Sequence, residues 1–568
     1  MVKQAEQVKA AAPPRSEPAA YNILFILTDQ ERYFREGELP DDYRLLAHER
    51  LARKGVVFEN HRIASCVCTS SRSVLYTGRH IQQTKMFDNT NFPWIGSMST
   101  EIPTLGHMLR EAGYYTAYKG KWHLTKEFET VNELGSPTKI FTKEMEAYGF
   151  SDYLGVGDII AHDQGGYRHD GIISAMGVSW LRGKGRALAA EGKPWFLAVN
   201  LVNPHDIMFL NTDRPGESVQ AKNMLGHIAP EPADPLYRQQ WKFNLPKSHG
   251  HALDAPGRPA AHKDFLQSHD GLTGNIADEE WRWRKRHNYY LNCLQDVDRN
   301  IATLLDELEA SGMASNTIVV LTADHGDLDG AHKLHAKGAT SYREQNQVPL
   351  IVVHPKYRGG QRSSVVTSHL DLAPTLVAMT NAPLEKKHSI TKSLPGKDFS
   401  GVLAAPAAAK TGDVRDGALY CYNMFAYIDG GFMARAVELM NQTDGKAQVQ
   451  AAVKSGALKA DLMKRGAIRS VFDGRYQFAR YFSPKQHNRP TSMESLFQLN
   501  DVELFDLQRD PHELDNLAMD RQKNGELLLA MNAKLNNLID AEVGEDIGQM
   551  LPGGADAGWV TTDAVMDV

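Results

Sequence analysis

Tyr21-Asn22-Ile23-Leu24-Phe25-Ile26-Leu27-Thr28-Asp29-Gln30 is a nearly unbroken apolar run that stops on two polar side chains. A run this short, without alternation, predicts a strand buried on both faces. Working outward along the chain, the same pattern returns. Residues 114–118 stop on Lys119-Gly120-Lys121-Trp122-His123, residues 195–202 on Asn203-Pro204-His205-Asp206, and residues 317–323 on Asp324-His325-Gly326-Asp327. Residues 55–58 and 348–353 read as further short strands. Helical spacing separates them, as in residues 104–112 and in residues 289–308, where Leu291, Leu294, Val297, Ile301 and Leu304 share a face. Strands alternating with helices predict a doubly wound, mostly parallel α/β sheet, in which ligands sit beyond the carboxyl ends of the strands. Asp29, Lys121, His123, His205, Asp324 and His325 all follow closely after predicted strands, so one shared site is expected.

The strand at residues 55–58 leads into Cys66-Val67-Cys68-Thr69-Ser70-Ser71-Arg72-Ser73-Val74-Leu75-Tyr76-Thr77-Gly78-Arg79. Val74 and Leu75 suggest a helix starting just after the thiols, and a cysteine there beside Arg72 would feel a positive field. By local chemistry the stretch reads equally as a nucleophile or as a structural cysteine beside a capped helix. Thr69, Ser70 and Ser71 are hydroxyl candidates by type, and Cys66 reads as a packed neutral thiol.

With 568 residues, 42% hydrophobic and 23% charged, the composition is that of an ordinary globular protein with room for two domains. A net charge of -6 gives no reason to expect nucleic acid or a membrane as partner. No apolar run approaches the ~20 residues of a bilayer span, and residues 1–20 lack the apolar stretch of a secretory signal. Four cysteines in so long a chain form no disulfide framework, and a cytoplasmic location is expected.

The organisation expected is a flexible arm over residues 1–20, a catalytic α/β domain over 21–403, a smaller α+β domain over 404–540 and a tail over 541–568. Within the smaller domain, residues 448–465 read as helix, 468–482 as strand and 525–539 as a last amphipathic helix. Residues 212–278 lack a sustained period and are a candidate lid. The many His and Arg of residues 205–290 are assigned to the surface, and His332 and His335 to a polar loop.

Taken together these motifs resemble the type I sulfatases of the alkaline phosphatase superfamily, over nearly the whole chain. That family carries Cys-x-Pro-Ser-Arg followed by Thr-Gly-Arg, and Cys68, Ser71, Arg72, Thr77, Gly78 and Arg79 stand in register. Gly120-Lys121-Trp122-His123, Asn203-Pro204-His205-Asp206, Asp324-His325-Gly326, His332 with Lys337, Asp371-Leu372-Ala373-Pro374-Thr375 and Glu503-Leu504-Phe505-Asp506-Leu507 follow in the same order. The resemblance implies an alkaline-phosphatase-like fold and hydrolysis of aryl or small alkyl sulfate monoesters. In such enzymes the cysteine is oxidised by a formylglycine-generating enzyme, and the aldehyde hydrate is the nucleophile. Cys68 would be that residue, with Arg72 and Lys121 offsetting charge and His123 as base. His205 and Lys337 would hold the sulfate oxygens, and one of them would protonate the leaving alcohol. Asp29, Asp324, His325 and the Cys68-derived oxygen would bind one divalent metal ion, manganese or calcium, with zinc a further option.

Asp29-Gln30 with Asp324-His325 is similar to the metal-site pattern of choline sulfatases and phosphonate monoester hydrolases. In those groups Asn89 falls at a substrate-contacting asparagine, and Gln30 would be a neighbour of the metal facing substrate. Dimers or tetramers are common among such relatives. Ser70 stands where the family has proline or occasionally alanine. Three readings follow: sulfate ester hydrolysis, hydrolysis of phosphonate monoesters or phosphodiesters with Cys68 modified or not, and a non-catalytic relative.

Overall fold

The computed structural model describes residues 20–92, 94–128, 139–158, 163–226 and 228–552. Residues 1–19 of the expected arm and residues 553–568 of the expected tail lie outside the described residues.

The strands of the larger sheet are β1 (Asn22–Asp29), β2 (Val56–Arg62), β3 (Tyr115–Gly120), β4 (Trp195–Pro204), β5 (Thr317–Ala323), β6 (Leu350–Val353) and β7 (Gln361–Ser368). They lie in the order β3-β4-β1-β5-β6-β2-β7. Only β6 runs against its neighbours; every other pairing is parallel. The mostly parallel α/β sheet expected from the apolar runs is therefore present. All residues of β1, β4 and β5 are buried, as strands covered on both faces should be. Thr28 is level with Ala323, and Asp29 pairs with Pro204. This register brings Asp29, His205 and Asp324 out of the sheet side by side.

Helix α1 (Cys68–Thr77) is buried along its whole length and begins on Cys68 itself, rather than after it. It ends on Gly78, whose φ of 63° is the left-handed conformation that closes a helix without a Cβ penalty. Helix α2 (Ala261–Thr273) lies in the segment without sequence period, and helix α3 (Glu280–Ala310) carries the predicted Leu/Val/Ile face inward.

The smaller sheet contains β8 (Ala418–Tyr422), β9 (Ala467–Phe472), β10 (Tyr476–Phe482) and β11 (Asp501–Asp506), antiparallel throughout in the order β11-β10-β9-β8. The strand-like stretch 468–482 is thus a hairpin, turning at Gly474 with φ 98°. The helix expected over 448–465 ends at Lys454, while the last one, α4, extends over Arg521–Glu542. Arg415 joins the two parts, donating to Asp371 at 2.7 Å and to Glu542 at 2.8 Å, and His80 lies 3.0 Å from the same Glu542 carboxylate.

The surface assignment for His and Arg of residues 205–290 fails at His262, His269, Arg282, Arg286 and His287, all buried. Burial is tolerated because partners came with them. Arg282 is ringed by Asp213, Glu217 and Glu279, and His287 meets Asp329 at 2.5 Å. His332 and His335 are buried as well. No helix among the described residues is long and apolar enough to cross a membrane.

Candidate active site

The sheet register delivers the first elements of the site. Asp29 ends β1, Asp324 and His325 follow β5, and Cys68 opens α1; none is exposed by more than 1%. Cys68 Sγ lies 3.1 Å from His325 Nε2 and 3.9 Å from Asp29 Oδ1. His325 Nδ1 lies 3.0 Å from the Gly326 carbonyl, so Nδ1 carries a proton and Nε2 is the atom turned to the sulfur.

Arg72 and Lys121 divide the carboxylates into an inner and an outer side. Arg72 Nε donates to Asp324 Oδ2 at 2.8 Å and Nη2 to Asp29 Oδ2 at 3.0 Å. Lys121 Nζ donates to the same Asp29 Oδ2 at 2.6 Å. The Oδ1 atoms are left facing His325 Nε2, at 3.9 Å for Asp29 and 3.7 Å for Asp324. One ligand atom from each of Asp29, Cys68, Asp324 and His325 lies within 4.8 Å of the others. Two hard carboxylate oxygens, an imidazole lone pair and a sulfur at this spacing are a donor set that fits one divalent cation.

The charges shape the protonation states. Burial opposes ionisation of Asp29, but Lys121, Arg72 and His325 outweigh it and hold the carboxyl well below its usual range. Burial and Asp29 push the Cys68 thiol up, yet Lys121, Lys337 and His325 bring it below its ordinary value. His123 and His205 are driven well below the usual imidazole range, by burial first and by Lys121 and Lys337 among their cationic neighbours. Both are neutral at neutral pH.

Gln30 has φ 72°, an uncommon backbone for a non-glycine residue. Its N–H donates to Asp324 Oδ1 at 3.0 Å and its carbonyl accepts from Tyr290 Oη at 2.7 Å. Its side chain thereby turns to Lys337: Gln30 Oε1 accepts from Lys337 Nζ, while Nε2 donates to Asp327 Oδ2. Asn89 is half-buried and accepts the Thr69 N–H with Oδ1 at 3.2 Å, so it caps the first turn of α1. His123 has φ 58°, its carbonyl accepts from Thr69 Oγ1 at 2.9 Å, and neither ring nitrogen has a partner among the described residues.

Two residues escaped the sequence reading. Asp158 pins the Lys121–His123 turn, accepting the Trp122 N–H with Oδ1 and the His123 N–H with Oδ2, both at 2.7 Å. It follows no apolar run, so no sequence signal marked it. Asp327 did carry a signal, its place three residues after Asp324, but not the orientation that makes it the partner of Gln30.

The sulfatase family profile matches residues 21–382, well over half of the chain. The chain belongs to the sulfatase family. Among curated sulfatases it is 28% identical over 406 residues to the uncharacterized sulfatase YidJ of Escherichia coli, covering 67% of this chain and 71% of YidJ. It is 26% identical over 391 residues to the choline-sulfatase of Rhizobium meliloti, covering 64% and 68%. The phosphonate monoester hydrolase of Silicibacter pomeroyi shares the fold, with a TM-score of 0.60 at 16% identity over 93% of this chain and 96% of that one. The sulfatase match spans the larger sheet and every residue named in the cluster above.

Proposed function

We propose that this protein hydrolyses sulfate monoesters with the group at position 68 as nucleophile and a divalent metal ion held by Asp29, Asp324 and His325. The observation that carries this reading is the meeting of Cys68 Sγ with His325 Nε2 at 3.1 Å, inside carboxylates whose outer oxygens are already neutralised by Arg72 and Lys121. When present, the metal ion and a formylglycine made from Cys68 supply an activated hydroxyl nucleophile.

The chain's own residues account for the rest. Arg72 and Lys121 meet negative charge as it develops at position 68 and cost no reorganisation, because Asp29 and Asp324 already hold them in place. His123, neutral and with both ring nitrogens unengaged among the described residues, is equipped to accept a proton from the group at position 68. Lys337, fixed by Gln30, and His205 are the groups assigned to the sulfate oxygens. Because His205 is held neutral, Lys337 is the donor assigned to the leaving alcohol. Asn89 caps α1, and the resemblance to choline sulfatases and phosphonate monoester hydrolases assigns it a contact to the ester.

Phosphonate monoester hydrolysis is the second reading, favoured by His325 in the donor set where many sulfatases have asparagine. Competing aryl sulfate and aryl phosphonate esters separate the two, and faster turnover of the phosphonate would overturn the first. Trypsin releases residues 63–72 as one peptide, whose mass reports thiol or aldehyde at Cys68. Intact thiol in fully active protein removes formylglycine from the mechanism.

A further inference from the structure

Beside the Lys337 loop lies a second group of ligand-type side chains that the proposed reaction leaves unused. His269 and Asp270 stand on α2, and His335 is two residues before Lys337. Both histidines are at least 98% buried, and the Asp270 side chain is 19% exposed.

Their hydrogen bonds fix their tautomers. Thr273 Oγ1 lies 3.1 Å from the His269 carbonyl and 3.1 Å from His269 Nδ1. The hydroxyl proton goes to the carbonyl, so the Thr273 oxygen accepts from Nδ1–H and His269 Nε2 keeps a bare lone pair. That Nε2 is buried and has no partner among the described residues. His335 Nε2 lies 3.0 Å from Asp270 Oδ1, and the two imidazole rings meet edge to face at 4.7 Å. One ligand atom from each of the three residues falls within 4.8 Å of the others.

We propose that His269, Asp270 and His335 form a second metal site, distinct from the Cys68 cluster, of the zinc type. Two imidazoles and one carboxylate are the donor set of open tetrahedral zinc sites, and the ion would take the place of the proton that His335 Nε2 donates to Asp270 Oδ1 at 3.0 Å. The Thr273 contact to His269 Nδ1 is the kind of outer hydrogen bond that orients a ligating imidazole. The partly exposed Asp270 gives the ion an entry route. Bound there, the ion ties α2 to the loop that carries Lys337. The site stands independently of the reading of the Cys68 cluster.

Full-length protein stripped with a chelator, titrated with zinc and desalted is expected to hold two zinc ions per chain by plasma mass spectrometry. His269→Ala and His335→Ala should each lose one. Asp29→Asn/Asp324→Asn, which disables the other cluster, should retain one, and cobalt in that variant should give the intense visible bands of a tetrahedral site. If the Cys68 cluster takes no zinc, the wild-type count is one and is still lost in the histidine variants. Absence of metal from Asp29→Asn/Asp324→Asn overturns the proposal, even if a histidine variant fails to fold. It is equally overturned if the histidine variants keep the wild-type count and only raise KM, which would make the two imidazoles acceptors for substrate hydroxyls.

Discussion

Asp158→Asn changes one oxygen to an amide nitrogen and leaves the shape of the side chain alone. In the wild type each carboxylate oxygen takes one buried backbone N–H, from Trp122 and from His123. Asparagine can accept only one of the two; its amide turns N–H against N–H at the other. Loss of one such bond, with a donor stranded, costs about 1–3 kcal/mol. The turn it releases is itself strained, since His123 holds φ 58° without being glycine. If the whole cost appears in the transition state, kcat falls roughly five- to 150-fold. Steady-state turnover of an aryl sulfate by the metal-loaded variant is the assay, with circular dichroism to show that it is folded. KM should change little, because Asp158 holds the backbone of His123, the proposed base, and has no proposed contact with the sulfate. A folded variant with kcat within about twofold of wild type would refute the claim that this carboxylate positions His123.

Asp327→Ala removes the acceptor that orients the Gln30 amide, and Lys337 loses its fixed partner. KM for sulfate esters should rise about tenfold, in line with one charged hydrogen bond, and a change confined to stability would count against it. Ser70→Ala deletes a buried hydroxyl that has no partner among the described residues, so thermal stability should hold or rise while the aldehyde fraction in peptide 63–72 increases. Burial holds His61, His262 and His369 well below their ordinary value of 6.5, whereas Glu31 and Asp298 hold His48 up at about 10. At these four histidines unfolding therefore takes up protons below pH 6.5, and the His48 proton is released above it. Stability should be lost as pH falls from 6.5, and the His48 contribution should be lost as pH rises towards 10, as a denaturant series across pH would show.

The parts that were legible in the sequence share one property: their information is local. β1, β4 and β5 are buried on both faces and therefore read as continuous apolar runs, and the polar residues that end them could be placed at one site from the sheet rule alone. β7 was not legible, because Gln361-Arg362-Ser363-Ser364 opens it on the sheet edge with little apolar character. The hairpin β9–β10 merged into one strand because Phe472 and Tyr476 flank a turn of only three residues. Partners distant in sequence were hidden altogether. Nothing near Asp158 announces a turn at residue 123, and nothing in residues 205–290 announces that Asp213, Glu217 and Glu279 would make Arg282 a core residue. Gln30 was placed beside the metal by position, but its grip on Lys337 depends on a backbone angle that no pattern encodes.

The order of strands in the sheet also sets a timetable for synthesis. β1 is made first, yet its two neighbours are β4 and β5, so the strand waits without a partner until residue 204 has been made and lacks its second until residue 323. Cys68 emerges early and ends at 1% exposure, enclosed by His325 and its neighbours. At roughly 5–20 residues per second, the ribosome needs on the order of ten to fifty seconds to reach Lys337. During that interval the thiol sits on a nascent chain with no finished pocket around it. Any enzyme that oxidises Cys68 has its opportunity then, so slowing translation downstream of position 68 should raise the aldehyde fraction of the finished protein without altering a single residue of it.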